Sequence, residues 1–198
     1  MIVVAPVAEL NALETLVPPD VPFFASTRPD ALGQLADALF HYSAANVVRI
    51  CLEHPFIDPV LVDRLVTHAA ATPSADYVGF CTRSGCPAIE TPIGSYGELC
   101  KSKAIRIADR DATHPRDREE PTRSLYRRPE RFQASFLALP DELDRRDVRL
   151  ALEENEDWDV MHELCDALGE EPDWRDVTEY LSSQPRIRSR MAAMNAGM

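Results

Sequence analysis

The sequence has few glycines, and none of them builds a phosphate cradle. The seven, Gly33, Gly79, Gly85, Gly94, Gly97, Gly169 and Gly197, form neither G-x-G-x-x-G nor G-x-x-x-x-G-K. After the apolar run Ile2-Val3-Val4 come Ala5-Pro6-Val7-Ala8, with no glycine and no cation to nest a triphosphate. Gly94-Ser95-Tyr96-Gly97 is preceded by Ile93, so it is not a nucleophile elbow, and Ser95 reads better as a helix cap. The five cysteines lack zinc-ribbon or zinc-finger spacing. Cys81, Cys86 and Cys100 with His114 read as buried or loop residues, and the odd cysteine count suits reduced thiols in a cytoplasm. No apolar run reaches membrane-span length, and Met1 to Ala5 lacks the flank and core of a signal peptide. Positive charge is scarce: Lys and Arg number 21 against 33 Asp and Glu, a net charge of −12. That balance disfavours a nucleic-acid module, which needs a basic face.

What is present is an ordinary globular chain of 198 residues, 45% hydrophobic and 27% charged. The expectation is one domain over 1–198, with a core of its own. Ile2 to Val4 reads as a strand, Glu9 to Leu16 as a helix, Val21 to Ala25 as a strand and Asp30 to Tyr42 as a helix. Tyr77 to Phe80 is another strand, Phe132 to Leu139 and Val148 to Leu152 two more, with a short strand at Ile89 to Thr91. A helix is expected from Ser95 towards Ala108. Asn155 to Leu168 is the clearest helix, with Trp158, Met161, Leu164 and Leu168 on one face. Two helices close the chain, near Asp173 to Leu181 and Ile187 to Met194. The βα alternation predicts an α/β fold with a mostly parallel sheet.

The organising stretch is Val47-Val48-Arg49-Ile50-Cys51-Leu52-Glu53-His54-Pro55-Phe56-Ile57-Asp58-Pro59. Its β-branched start reads as a buried strand, Val47 to Leu52. Pro55 stops that strand, and Asp58 caps a helix opened by Pro59, with Leu61, Leu65 and Ala69 on one face and Val62 and Val66 beside them. Glu53 and His54 thus stand at a strand's carboxyl end, where open α/β sheets bind ligands.

Glu53 and Glu153 each follow an apolar strand. Two acids on one sheet edge could share a divalent cation, or be two solvated loop acids. Arg49 and Arg149 sit inside apolar runs, where a charge needs a partner, a ligand anion or a solvated face. Arg116, Arg118, Arg123, Arg127, Arg128 and Arg131 are interleaved with acids and read as a solvated mixed-charge face.

These residues resemble the cytidylyltransferases that act on acylneuraminate and related sugar acids, and in particular their spore coat polysaccharide biosynthesis branch, the SpsF-like proteins. Val47 to Pro59 resembles that branch's V-V-R-I-T-G-D-C-P-L-I-D-P. Asp30-Ala31-Leu32-Gly33-Gln34 resembles D-V-L-x-R, and Ile89-Glu90 falls on G-x-D-V-E. Arg118-Glu119-Glu120-Pro121-Thr122 resembles R-E-H-V-T, and Val148 to Trp158 resembles R-L-T-V-D-x-x-E-D-W.

The resemblance implies a three-layer α/β/α nucleotidyltransferase-like (nucleotide-diphospho-sugar transferase) fold. It also implies transfer of a nucleotide from CTP to a sugar with release of pyrophosphate. Glu53 and Glu153 fall on the family's metal-binding aspartates, with magnesium or manganese as the metal. Arg49, His54, Glu90 and Arg149 are the implied nucleotide- or sugar-binding residues. Family members pair through the segment between the two acid-bearing strands, here about Cys81 to Phe132, which makes a homodimer the expected assembly.

The departures are systematic. The family's opening strand and R-x-x-S-x-R-L-P-x-K loop have no counterpart, so an N-terminally truncated domain is expected. Both metal aspartates are glutamates, Ala88 replaces an acid, Cys86 a glycine, Glu120 a histidine and Gln34 an arginine. The resulting expectation is a degenerate cytidylyltransferase-like protein that binds a partner, nucleotide or sugar in the cytoplasm without turnover. The alternative is an active nucleotidyltransferase.

Overall fold

The computed structural model describes residues 1–169 and 171–196. The elements run β1 (Val3–Pro6), a 3-10 turn (Val7–Glu9), α1 (Leu10–Leu13), β2 (Phe23–Ser26), α2 (Ala31–His41), β3 (Asn46–Arg49), α3 (Pro59–Ala71) and β4 (Tyr77–Cys81). They continue with a 3-10 turn (Ala88–Glu90), β5 (Glu98–Lys101), α4 (Ser102–Asp111), α5 (Pro115–Glu119), α6 (Arg123–Arg127), β6 (Ala134–Ala138), α7 (Asn155–Leu168), α8 (Trp174–Ser183) and α9 (Pro185–Asn195). This is the expected α/β class. One sheet pairs β1 with β2 in parallel, and the other has the order β3-β5-β4-β6. The chain divides into two compact units: residues 1–47, 74–77 and 100–134, and residues 48–73, 78–99 and 135–198.

In the first unit, Val3 pairs with Phe23 and Pro6 with Ser26. The Asp30 carboxylate caps α2 through the Gly33 N–H at 2.8 Å, and α2 buries Leu32, Ala36 and Leu39. Ser102 N–H donates to Ala45 C=O and Lys101 N–H to Asp76 C=O, so β5 ends where its neighbours start and runs antiparallel to them. The arginine-rich segment is not simply a solvated face. Asp117 is buried, and Arg123 and Arg128 both donate to it. Arg118 reaches Asp30 at 2.9 Å and Asp109 at 2.9 Å. A buried carboxylate without such partners would be too costly to keep ionised.

In the second unit, Asp58 caps α3 as expected, accepting from Val60 N–H at 2.7 Å and Leu61 N–H at 3.1 Å. It also accepts from Trp174 N–H at 2.8 Å, tying α3 to the start of α8. Leu61 and Leu65 are fully buried, each worth roughly 1.5–3 kcal/mol, whereas Val66 stays 44% exposed. Leu139 N–H donates to Cys81 C=O, consistent with β4 and β6 running in parallel.

Several sequence expectations need correction. β3 ends at Arg49, three residues short of Leu52. Ile89 to Thr91 is a 3-10 turn and not a strand. Ser95 caps no helix; its hydroxyl is buried without a partner, and β5 comes before α4. Val148 to Leu152 is irregular, because Leu150 and Ala151 both donate to the single Pro92 carbonyl, at 2.8 and 3.0 Å, and form no ladder. The inward stripe of α7 is Asp157, Val160, Met161 and Leu164, which leaves Trp158 55% exposed. The stripe is rotated because Asp157, a charged residue, takes the innermost position of the first turn.

Candidate functional site

The site grows from the end of β3. Gly97 lies so close to it that a Cβ there would stand 2.9 Å from the Arg49 carbonyl oxygen. That approach sets the next residue, Glu98, opposite Arg49. Glu98 is only 1% exposed, and its carboxylate accepts from Arg49 Nη1 at 2.7 Å. Beside this pair, burial pushes the Cys51 thiol up to about 11, against the opposing pull of Arg49. Cys51 is therefore a protonated thiol at neutral pH and not a nucleophile.

His54 is buried, and its Nδ1 lies 3.2 Å from the Tyr96 carbonyl. A carbonyl only accepts, so Nδ1 carries the proton. Burial holds His54 below its ordinary value of 6.5, so the ring is neutral. The ring stands edge-on to Tyr96 at 5.6 Å. The Tyr96 hydroxyl in turn donates to Ala88 C=O, and burial raises its pKa. Tyr96 thus links His54 to the turn that carries half-buried Glu90.

The second acid-bearing segment lies against the first. Leu152 N–H donates to Glu53 C=O at 2.7 Å, so the backbones carrying Glu53 and Glu153 are neighbours. Gly94 permits this register: its φ is +67°, and a Cβ there would sit 2.6 Å from the Ala151 nitrogen. Arg149 is 2% exposed and grips Asp157 with two hydrogen bonds, Nε at 2.6 Å and Nη2 at 2.9 Å. The Glu153 carboxylate lies 3.3 Å from Arg149 Nη2. Asp157 also accepts from the N–H groups of Glu153 and Glu154, at 2.9 and 2.8 Å, closing a capping box on α7. Burial, with Asp157 and Glu154 nearby, holds the Glu153 carboxyl above its ordinary value despite Arg149.

The structure therefore brings Arg49 and His54 together around Tyr96 and Glu98, and joins the Glu53 and Glu153 segments. Glu53 is exposed, and Arg149 is committed to the start of α7. Among the described residues, no three His, Cys, Asp or Glu side chains are grouped to hold a metal ion. Glu53 and Glu153 supply two carboxylates on adjoining segments, that of Glu153 lying against Arg149. Sequence reasoning missed Glu98 and Asp157 as the arginines' partners. The acid after Gly97 carries no local signal, and Asp157 entered only through the E-D-W resemblance.

With this geometry in place, the fold has a clear counterpart among solved structures. A cytidylyltransferase from Leptospira borgpetersenii serovar Hardjo-bovis superposes with a TM-score of 0.75 at 20% identity, over 90% of this chain and 73% of that one. The domain therefore has the nucleotidyltransferase-like α/β fold of a cytidylyltransferase. No family model matches the chain. Among curated proteins, it is 25% identical over 128 residues to the spore coat polysaccharide biosynthesis protein SpsF of Bacillus subtilis, covering 64% of this chain and 50% of SpsF. It is 26% identical over 169 residues to an uncharacterised protein of Methanocaldococcus jannaschii, covering 84% of this chain and 65% of that protein. The chain is thus similar to SpsF in sequence and to a cytidylyltransferase in fold, and it spans 65% and 50% of the length of these two curated relatives. Among the described residues, no helix is long and apolar enough to cross a membrane.

Proposed function

We propose that this chain is a cytidylyltransferase-like protein of nucleotide-sugar or surface-polysaccharide biosynthesis that binds its ligand or partner in the cytoplasm without nucleotidyl transfer. The observation that carries the reading is the commitment of both site arginines to buried carboxylates, Arg49 to Glu98 and Arg149 to Asp157. Phosphoryl chemistry needs cations that face the phosphates as charge develops. Here the two arginines stand among Glu53, Glu98, Glu153 and Asp157, a local excess of negative charge. The glutamates at both positions that resemble metal aspartates point the same way, since one added methylene shifts the oxygens beyond what catalytic positioning tolerates. The test is pyrophosphate release from CTP and a sugar-acid acceptor, with magnesium or manganese, by the pure chain. None above background is expected. Turnover that disappears in Glu53→Ala would replace this reading with the active one.

The second reading, a working nucleotidyltransferase, draws on the Leu152–Glu53 backbone bond, which sets the two acid-bearing segments side by side. Calorimetry with magnesium separates the two: metal binding lost when both glutamates become alanine supports the active reading. The proposal extends to a homodimer formed through the segment around residues 81–132. Sedimentation showing only monomer at micromolar concentration would remove that part.

A further inference from the structure

We infer that Arg128 and Arg131 form a binding site for a small organic anion, a carboxylate carried on an apolar body about the size of a benzene ring. The site is built within residues 108–132 and does not depend on the proposed function. Ala108 and Asp111 stand three residues apart on α4, and Ser124 and Arg128 four apart at α6, so each helix turns its two residues to one side. The chain then doubles back, the N–H groups of Arg131 and Phe132 both donating to the Arg128 carbonyl, at 2.9 and 3.0 Å. Together with Glu130, these residues line a cavity of about 170 Å³. Ala108, Ser124 and Phe132 are buried and make its floor, whereas Arg128, Glu130 and Arg131 reach solvent at its rim.

Charge decides what the cavity takes. Asp111 holds both Arg110 and Arg131. Asp117 holds Arg123 and Arg128, and Arg123 also reaches Glu120, which holds Arg116. Each of these networks has one more arginine than it has acids. Glu130 offsets one of the two, so positive charge is in surplus here although the chain as a whole carries −12. Among the described residues, the guanidinium of Arg128 bonds only through Nη2, to Asp117, and that of Arg131 only through Nη2, to Asp111. The Nε and Nη1 donors of both remain for a ligand, and a carboxylate can take two of them without breaking either ion pair. The floor sets the rest of the ligand. An apolar cavity of about 150 Å³ takes up benzene, so the space here exceeds what a bare oxyanion fills and suits a ring or short chain against Ala108 and Phe132. Ser124 Oγ, buried and without a partner among the described residues, is the polar side-chain group of that floor.

The experiment is a titration of the whole chain at pH 7 and low salt with benzoate and with hexanoate, followed by calorimetry and by amide NMR shifts. At least one of the two is expected to bind saturably in the millimolar range or tighter, with the largest shifts at Ser124, Arg131 and Phe132. Arg131→Gln is expected to weaken that binding about tenfold, the worth of a charge-assisted hydrogen bond. This variant should fold, because Arg131 is exposed and Asp111 keeps Arg110. Glu130→Gln, which removes the offsetting acid from the rim, is expected to bind about twofold tighter. Benzylamine tests the charge and inorganic phosphate tests the apolar floor, and each is expected to bind at least tenfold more weakly than the better carboxylate. The inference is overturned if neither carboxylate binds, if their binding is unchanged in Arg131→Gln, if the shifts fall outside residues 108–132, or if benzylamine or phosphate binds as tightly. CTP turnover bears on the proposed function alone and leaves this site as it stands.

Discussion

Arg49-Ile50-Cys51-Leu52-Glu53 and Arg149-Leu150-Ala151-Leu152-Glu153 are nearly the same five-residue phrase, yet the fold uses them differently. In the first, the arginine ends a strand and finds its carboxylate on the neighbouring strand, at Glu98. In the second, no strand forms, and the arginine turns to Asp157 in the first turn of the following helix. Arg149 and Asp157 are both 2% exposed, whereas Arg49 keeps 24% of its side-chain surface in solvent. A sequence pattern thus sets which charges must be answered, and the element lying opposite sets what answers them. A charge sealed in protein serves the fold, while one that still reaches water can serve a ligand.

The largest expected effect tests that division directly. Asp157→Ala takes from the buried Arg149 its two-bond carboxylate partner and removes half of a capping box, and should lower the unfolding free energy by about 3–5 kcal/mol. Glu98→Gln leaves Arg49 a route to water and an amide oxygen to bond, so its cost should be about 1–2 kcal/mol. Urea unfolding of both variants measures the contrast. Equal losses would erase the distinction between a structural and a ligand-facing arginine.

A second contrast lies in the two glycines that admit these segments. Gly94 combines a φ of +67° with backbone atoms of Leu150 and Ala151 within 2.9 Å of a would-be Cβ. Gly97 meets the Arg49 carbonyl at 2.9 Å, with its φ outside the left-handed region. Gly94→Ala should cost about 2–3 kcal/mol and Gly97→Ala about 1 kcal/mol less. Thermal unfolding that ranks them the other way would mean that the first segment is the more rigid.

Much of this frame was legible in the sequence. Asp58-Pro59 marked the start of α3 because cap chemistry is local, and Leu61 and Leu65 marked its inner face because helical periodicity is local too. The meeting of the Glu53 and Glu153 segments followed from acids at comparable chain positions in an α/β alternation, although Val148 to Leu152 proved not to be a strand. That expectation failed where an apolar run spends its N–H groups on one carbonyl, which composition does not record. Glu98 was invisible for a different reason. Gly94-Ser95-Tyr96-Gly97 reads as a turn into a helix, and only the cross-strand approach of Gly97 to Arg49 makes the next residue a buried partner. The rotation of α7 was hidden because periodicity alone ranks Trp158 above Asp157, whereas Arg149 reverses that order.

The smallest expected effect concerns Glu153, the acid that the two-segment comparison leaves between roles. Its carboxyl is held above its ordinary value of 4.5 by burial and by Asp157 and Glu154, with Arg149 opposing. For an acid whose pKa is raised by folding, the native state favours the protonated form. The associated stability is present in full below the unfolded value and is lost as pH rises through the folded one. At pH 7, ionised Glu153 is therefore a slight burden on the fold, even with Arg149 at 3.3 Å. Glu153→Gln removes the burden while keeping the side chain's size. Because the side chain is 39% exposed, solvent screens the effect, and the variant should gain no more than about 0.5 kcal/mol at pH 7. The gain should shrink towards zero as the pH is lowered towards 4, where wild type is also protonated. Urea unfolding of the two proteins at pH 4 and pH 7 checks both size and sign. A loss of stability in the variant that grows with pH would mean that the pair with Arg149 outweighs burial, and that Glu153 belongs with Asp157 among the residues that hold the fold.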